Sequence, residues 1–482
     1  MSAQGSAGPV GLPPAAALLA VADLLNPLAE RFAEAGHELA LVGGPVRDLM
    51  LSHPSTHDLD LTTDARPERI VELVDGWADT VWDVGVRFGT VGVRHRGHHI
   101  EITTYRSESY DPSSRKPQVT FGDTLAGDLG RRDFTVNAMA VRLPTLEFVD
   151  LHDGMRDLDA QILRTPAPPE ESFSDDPLRM MRAARFVSQL GFTIAPEVVE
   201  AMTAMGERLS IVSAERIRDE LSKLLLGAHP RRGLEVLVRT GLAETVLPEL
   251  PALQLEVDEH HRHKDVYEHS LTVMEQAIAL ESLHEPTMEP DLVLRLASLL
   301  HDVGKPKTRR YEADGGVSFH HHEVVGARIV RKRLTALRYP NDVIDSVTKL
   351  TELHLRFHGY GSGEWTDSAV RRYVRDAGDE LLRLHKLTRA DSTTRNRRRA
   401  AALQATYNSL EERIAVLAEQ EELAAIRPDL DGNQIMTILG IRPGREVGEA
   451  YNFLLERRLD RGPVDPATAE AELRAWWAAR SS

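Results

Sequence analysis

The densest grouping of residues able to do chemistry lies between Leu41 and Thr63, in LVGGPVRDLMLSHPSTHDLDLTT. Asp58 and Asp60 alternate with Leu59 and Leu61. Residues two apart on a strand share a face, so both carboxylates should project into one cleft while the leucines enter a core. Two neighbouring hard anions suit a pair of Mg2+ ions, which can clamp a triphosphate for in-line attack. Upstream, Gly43 and Gly44 follow the apolar run Leu39 to Val42. Without Cβ atoms they let backbone N–H groups approach a phosphate. Arg47 falls where a new helix should present its positive N-terminal end, and its guanidinium can fork onto phosphate oxygens. An isolated Asp-x-Asp is usually a solvated strand edge. Next to a glycine pair and an arginine it points to transfer of a metal-bound nucleotide.

Three further groupings extend the reading. Glu101 alternates with Ile100 and Ile102, and a third carboxylate on a neighbouring strand would complete a two-metal site; an exposed strand Glu is the plainer alternative. From Asp128 to Ala138, Arg131, Arg132, Asp133, Thr135 and Asn137 crowd ahead of an apolar run. Arginine for phosphate and Asn for a ribose hydroxyl is a natural division of labour, against a helix start capped by Asp133 or Thr135. Asp176 and Arg179 open a helix that continues through Arg182 and Arg185. Three apart on one helical face, Asp176 and Arg179 offer an acceptor and a fork of donors that can match the Watson–Crick edge of a base, although an N-cap beside Pro177 is the simpler use of the acidic pair. In the second half, histidines are dense between 260 and 358. His269 sits on a helix, His301 and Asp302 close the apolar run Leu292 to Leu300, His322 follows two more histidines, and Asp391 lies beyond. Imidazoles and carboxylates spread over several helices suit a divalent metal.

The elements that must hold these groups follow from pattern and composition. The chain of 482 residues is long enough for several domains. Its net charge of −16 argues against indiscriminate nucleic-acid coating, while local basic clusters at Arg131-Arg132, Arg331 to Arg333 and Arg395 to Arg399 leave a nucleic-acid substrate open. Cysteine is absent, which excludes disulfides and Cys-based metal sites and fits a cytoplasmic setting. No apolar run approaches membrane-spanning length, and residues 1–25 read as a short leader running into a helix, not as a signal peptide. Strand candidates (Thr90 to Val93, Ile100 to Thr104, Ala138 to Val141, Phe148-Val149) mix with helices up to about residue 165, after which helical periodicity dominates. Proline-rich boundaries near Thr165, Leu247 and Arg427 suggest a leader and first helix (1–30), a head (31–165), a helical neck (166–250), a histidine-bearing domain (251–400) and a helical C-terminal region (401–482).

The ordered motifs Gly43-Gly44-x-x-Arg47 with Asp58-x-Asp60, Arg131 to Ala138, Asp175-Asp176-x-x-Arg179, and Glu215-Arg216-Ile217-x-x-Glu220-Leu221 resemble the class II CCA-adding enzymes, tRNA nucleotidyltransferases of the DNA polymerase beta superfamily. The resemblance implies an α+β fold: a nucleotidyltransferase head with a mixed, largely antiparallel sheet, followed by an all-α body. It implies Asp58 and Asp60 as Mg2+ ligands with Glu101 as helper, Gly43, Gly44, Arg47, Arg132, Asp133, Asn137, Arg182 and Arg185 at the nucleotide, and Asp176 with Arg179 as the protein template that selects CTP or ATP. The partners implied are tRNA, CTP and ATP, with no membrane. The template motif of the family usually begins Glu-Asp, whereas here it begins Asp175-Asp176, which puts only its supporting shell in doubt. Bacterial poly(A) polymerases share these motifs. Gly89-Thr90-Val91 and the segment Tyr105 to Pro117, with Tyr110 and Arg115, resemble the CCA-adding form and its loop for the final adenosine. The second half resembles HD-domain phosphohydrolases, which implies His269, His301, Asp302 and Asp391 as ligands of a divalent transition metal or Mg2+, Lys305 after the glycine turn, and His322 and His354 as candidates for a second metal or a phosphate. Such a domain would act as a phosphatase or 2′,3′-cyclic phosphodiesterase on RNA ends, or stand idle. The alternatives carried forward are a poly(A) polymerase and an HD phosphohydrolase. Arg395 to Arg399, the helix running to about Glu421 and the remainder through Trp477 are expected to support the tRNA body through phosphate contacts, with a solvated basic helix face as the equal alternative.

Overall fold

The computed structural model describes residues 15–51, 58–85, 89–110, 117–122, 124–254, 265–282, 290–313, 317–357, 366–393, 396–421 and 426–480. It divides into two compact units, residues 1–248 and 249–482. Among the described residues no helix is long and apolar enough to cross a membrane.

The first unit is built on a sheet whose strands are β1 (Leu39–Val42), β2 (Asp58–Thr63), β3 (Thr80–Gly85), β4 (Thr90–His95), β5 (His98–Thr104), β8 (Met139–Leu143) and β9 (Phe148–Asp150), while β6 (Arg106–Tyr110) and β7 (Pro117–Phe121) form a separate antiparallel hairpin. The order across the sheet is β3-β4-β5-β2-β1-β8-β9. Only the β2–β5 pair is parallel, so the sheet is mixed and largely antiparallel, as expected. Strict alternation sets its two faces. Leu59, Leu61, Val91, Val93, Ile100 and Ile102 are buried, and the helices Ala15–Glu34 and Pro67–Val74 pack beside the sheet. The intervening residues of β2 and β5, Asp58, Asp60, His99 and Glu101, stay exposed on the other face. Three of the strand candidates read from the sequence fall within observed strands, β4, β5 and β9, and the fourth overlaps β8, which starts one residue later at Met139.

Helices follow from Pro169 onward. The helix Leu178–Leu190 buries residues all round, including Arg179 and Arg185. It packs against Ala214–Leu225 and Pro230–Arg239. The helix Ala214–Leu225 is started by Ser213, whose hydroxyl accepts from the Arg216 backbone N–H.

The second unit is almost wholly helical. Val266–Ala279, Leu292–Leu300, His322–Ala336, Asn341–Leu353 and Leu381–Asp391 pack around one another. Arg397–Glu421 lies beside Leu381–Asp391. The last three helices, Gly432–Leu439, Arg445–Arg461 and Pro466–Arg480, enclose a separate small core of Leu430, Ile435, Ala450, Leu454, Ala469 and Leu473. Asp431 and Gln434 form a reciprocal capping box at its start.

Candidate functional site

In the first unit the parallel register of β2 and β5 sets Asp60 opposite Glu101 and Asp58 opposite His99. The third carboxylate thus stands on the strand next to Asp58-x-Asp60, on the same face. Asp60 and Glu101 border a cleft of about 390 Å³ whose other walls carry Arg106, Arg131, Arg132, Asp133, Asp176, Arg179, Arg182 and Arg216. Desolvation by the surrounding cleft walls pushes the Asp60 carboxyl above its ordinary value and Asp58 adds to this, against the pull of Arg132 and Arg182. Burial, then Asp60 and Asp58, do the same to Glu101. Three carboxylates that crowd one another this way fit a divalent cation, which relieves the repulsion.

Gly43 adopts φ +74°, and a Cβ there would lie 3.0 Å from Arg132 Nη1 and 3.6 Å from Asp60 Oδ2. The close approach expected of the glycine pair is therefore made to the cleft's own side chains. Arg47 departs from its expected setting. It occupies the last turn of the short helix Gly44–Met50, is buried, and donates through Nη1 to Asn137 Oδ1 at 2.7 Å. Asn137 in turn donates to Asp133 Oδ1 at 3.1 Å, and Asp133 Oδ2 accepts from Arg182 at 2.8 and 2.5 Å. Arg182 and Arg185 both reach Glu220, at 3.8 and 3.1 Å. Arg47, Asn137, Glu220 and Arg185 thus form a buried relay under the cleft, while Asp133 and Arg182 reach its wall. Burial alone would raise the Asp133 carboxyl, but Arg182 and Asn137 hold it well below the usual carboxylate range. Burial and the neighbouring Arg182 pull Arg185 down to about 10.

Asp128 does parallel work from beneath. Fully buried, it binds Arg131 at 2.6 Å and Arg132 at 3.2 Å, which turns both guanidiniums to the cleft. Against the effect of burial, these two cations keep the Asp128 carboxyl below its ordinary value. Asp176 and Arg179 do not share a helical face. The helix begins at Leu178, and Asp176 stands before it in an extended conformation, accepting from Leu178 N at 3.1 Å and from Arg216 Nη2 at 3.0 Å. Arg179 is fixed from the other side, donating to Ser172 Oγ at 2.8 Å and to the Arg131 carbonyl at 2.5 Å. Both still face the same cleft. Arg106, Asp128, Arg216 and Glu220 were not singled out as site residues by the sequence reading, although Arg216 and Glu220 stood inside a quoted motif. Arg106 roots the β6–β7 hairpin beside the cleft; Arg115 and residues 86–88 lie outside the described residues.

The second unit gathers the remaining candidates. His269 Nε2 lies 2.9 Å from Asp391 Oδ1, and His301 Nε2 lies 3.4 Å from the same oxygen and 3.2 Å from Asp302 Oδ2. The other Asp302 oxygen faces His322 Nε2 at 3.1 Å and His354 Nε2 at 3.9 Å, and Lys305 Nζ reaches Asp302 Oδ2 at 2.9 Å. Two groups result, His269 with His301 and Asp391, and Asp302 with His322 and His354, each with its ligand atoms within 4.8 Å of one another. The Nδ1 atoms of His301, His322 and His354 sit 2.8, 2.9 and 2.7 Å from the carbonyls of Ser298, Phe319 and Thr351. A carbonyl only accepts, so each Nδ1 carries a proton and each Nε2 points inward, the orientation that metal-binding imidazoles are given. These three buried Nε2 atoms make no well-aligned hydrogen bond among the described residues. Burial disfavours the charged form of His301, yet Asp302 and Asp391 push it up to about 10, whereas burial and His301 hold His354 down to about 3. The pocket demands positive charge, and its donor set fits a divalent cation.

Both units have counterparts among known proteins. Family models match at residues 39–164 (poly A polymerase head domain), 191–253 (probable RNA and SrmB-binding site of polymerase A) and 266–396 (HD domain). The CCA-adding enzyme of Levilactobacillus brevis is 44% identical over 221 residues, covering 46% of this chain and 54% of that protein, so the chain spans about half the length of such relatives. The A-adding tRNA nucleotidyltransferase of Deinococcus radiodurans is 35% identical over 359 residues, covering 73% of this chain and 79% of that protein. The crystal structure of the Bacillus stearothermophilus CCA-adding enzyme in complex with CTP aligns over 95% of this chain and 98% of its own, with a TM-score of 0.67 and 25% identity. The chain belongs to the tRNA nucleotidyltransferase family.

Proposed function

We propose that the first unit adds C, C and A to the 3′ end of tRNA, taking CTP and ATP as substrates and using no nucleic-acid template. The observation that carries this reading is the row of Asp58, Asp60 and Glu101 on adjoining strands, with Asp60 and Glu101 bordering a cleft whose walls carry arginines together with Asp176. Mg2+ held by these carboxylates would supply the charge that binds the triphosphate and acidifies the attacking 3′-hydroxyl. The chain's own groups do the rest. Arg131 and Arg132, braced by Asp128, neutralise phosphate charge. Arg182, braced by Asp133, lends a further cation. Asp176 and Arg179, each pinned by other protein groups, present a fixed acceptor and donors to the base. We propose for the chain a leader and first helix (1–30), a nucleotidyltransferase head (31–165), a helical neck (166–250), an HD domain (251–400) and a helical C-terminal region (401–482).

A second reading, addition of A, is favoured by the Deinococcus relative, an A-adding tRNA nucleotidyltransferase. The protein is incubated with tRNA ending in -N, -NC or -NCC and supplied with CTP, ATP or both. Stepwise addition of C, C and A that then stops supports our reading. Incorporation of A into the -NCC substrate alone supports the A-adding one, and long adenosine tails indicate a poly(A) polymerase. For the second unit we propose metal-dependent phosphohydrolysis of RNA ends, with His269, His301, Asp302 and Asp391 holding the metal, be it Mg2+ or a transition metal. Hydrolysis of 2′,3′-cyclic ends that EDTA abolishes and Mn2+ or Ni2+ restores is the expected result.

A further inference from the structure

The face of the sheet that carries the carboxylates does not end at β5. Pairing across β4 and β3 continues it in two rows: Asp60, Glu101, Gly92 and Trp82 in one, and Asp58, His99, Arg94 and Thr80 in the other. The Trp82 and His99 rings meet edge to face, 5.5 Å apart at 61°. Trp82 is half-buried, whereas His99 and Arg94 are exposed. Among the described residues no carboxylate pairs with Arg94, in a chain whose net charge is −16. The nucleotide cleft does not account for these groups: its walls include none of them, and Arg132, the cation that acts most on Asp60, lies beside Gly43 at the end of β1, on the far side of β2.

We propose that Trp82, His99 and Arg94 form the platform on which the single-stranded 3′ end of the RNA acceptor lies. The inference rests on the nucleotidyl-transfer reading above and follows from the direction of attack. In-line displacement requires the attacking hydroxyl to arrive opposite the leaving pyrophosphate. With the triphosphate held on the β1 side of the carboxylates, the acceptor comes across β5, β4 and β3, and this is where the exposed rings and cation lie. Three strand spacings of about 4.8 Å place Trp82 roughly 14 Å from the Asp60 strand, a span of about two nucleotides. The aromatic ring offers a stacking surface for a base of any identity, and Arg94 offers a charge for the backbone. A site that must accept ends of -N, -NC and -NCC needs such sequence-tolerant contacts.

Trp82→Ala and Arg94→Gln test the proposal in steady-state addition of C to tRNA ending in -N. The KM for RNA should rise roughly 5- to 100-fold for Trp82→Ala, the range of one lost base–aromatic stack, while the KM for CTP changes less than about twofold. Trp82→Phe, which keeps a ring, should recover most of the loss, and it carries the test if the alanine variant does not fold. Binding of a 3′-fluorescent single-stranded RNA should weaken in parallel and recover in the same order. An unchanged KM for RNA in Trp82→Ala and Arg94→Gln, or a KM for CTP that rises equally, overturns the platform. If the wild type incorporates nothing into any RNA, the nucleotidyl-transfer reading fails instead. The 3′-fluorescent RNA binding series then judges the platform separately.

Discussion

Residues in the cleft divide into those that face the substrate and those that hold them. Arg216 is of the second kind, because its guanidinium fixes the Asp176 oxygen left over from capping Leu178. Removing it frees Asp176 to turn without taking away its charge. Arg216→Ala should therefore retain incorporation but lose roughly tenfold in discrimination between CTP and UTP, about 1.4 kcal/mol; the ratio of kcat/KM values measures this. Gly43 makes a stricter demand. A side chain at φ +74° and ψ −140° costs roughly 1–3 kcal/mol of backbone strain, and its Cβ would press on Arg132. Gly43→Ala should raise the KM for nucleotide and lower kcat, with a small change in melting temperature.

Elements explain which residues could be read from the sequence. The period-2 alternation of Asp58, Asp60 and Glu101 is local, so their common face was legible, and the flanking leucines and isoleucines are indeed buried. Arg47 was misread because its partner, Asn137, is 90 residues away and nothing near Arg47 signals it. Asp176 was placed on a helix because its spacing to Arg179 is helical; Pro177 takes the N-cap position and leaves Asp176 before the helix, its carboxylate accepting from Leu178 N. The histidine positions were legible as a group, but the two-sided placement of Asp302 depends on how four helices pack. That packing is tightest at Gly304, where a Cβ would lie 2.0 Å from the His322 carbonyl oxygen and 2.8 Å from Gly326 N. Gly304→Ala should push His322 away from Asp302, destabilise the second unit by at least the roughly 1–3 kcal/mol typical of overpacking, and reduce bound metal measured by atomic absorption.

At the scale of the molecule, each of the two units carries its own candidate metal centre. The first unit's electrostatics set its response to acid. Asp133 and Asp128 have carboxyls held below their ordinary values by arginines, so their stabilisation is present above the unfolded carboxylate value of about 3.9 and is lost as pH falls through the lower folded values. The melting temperature should therefore fall steeply below about pH 4. Asp133→Asn should be less stable at neutral pH and show a shallower acid limb, as read by circular dichroism.

In the proposed function the Asp58, Asp60 and Glu101 row transfers nucleotides independently of the histidine cluster. Its most direct test is Asp60→Asn, which keeps the side chain's size and removes its charge. Single-turnover incorporation of labelled CTP into tRNA ending in -N should fall at least about a thousandfold, a loss of some 4 kcal/mol of transition-state stabilisation, while the folded variant keeps its metal-dependent hydrolysis of 2′,3′-cyclic ends. Incorporation at the wild-type rate, or loss of both activities in a folded protein, would contradict it.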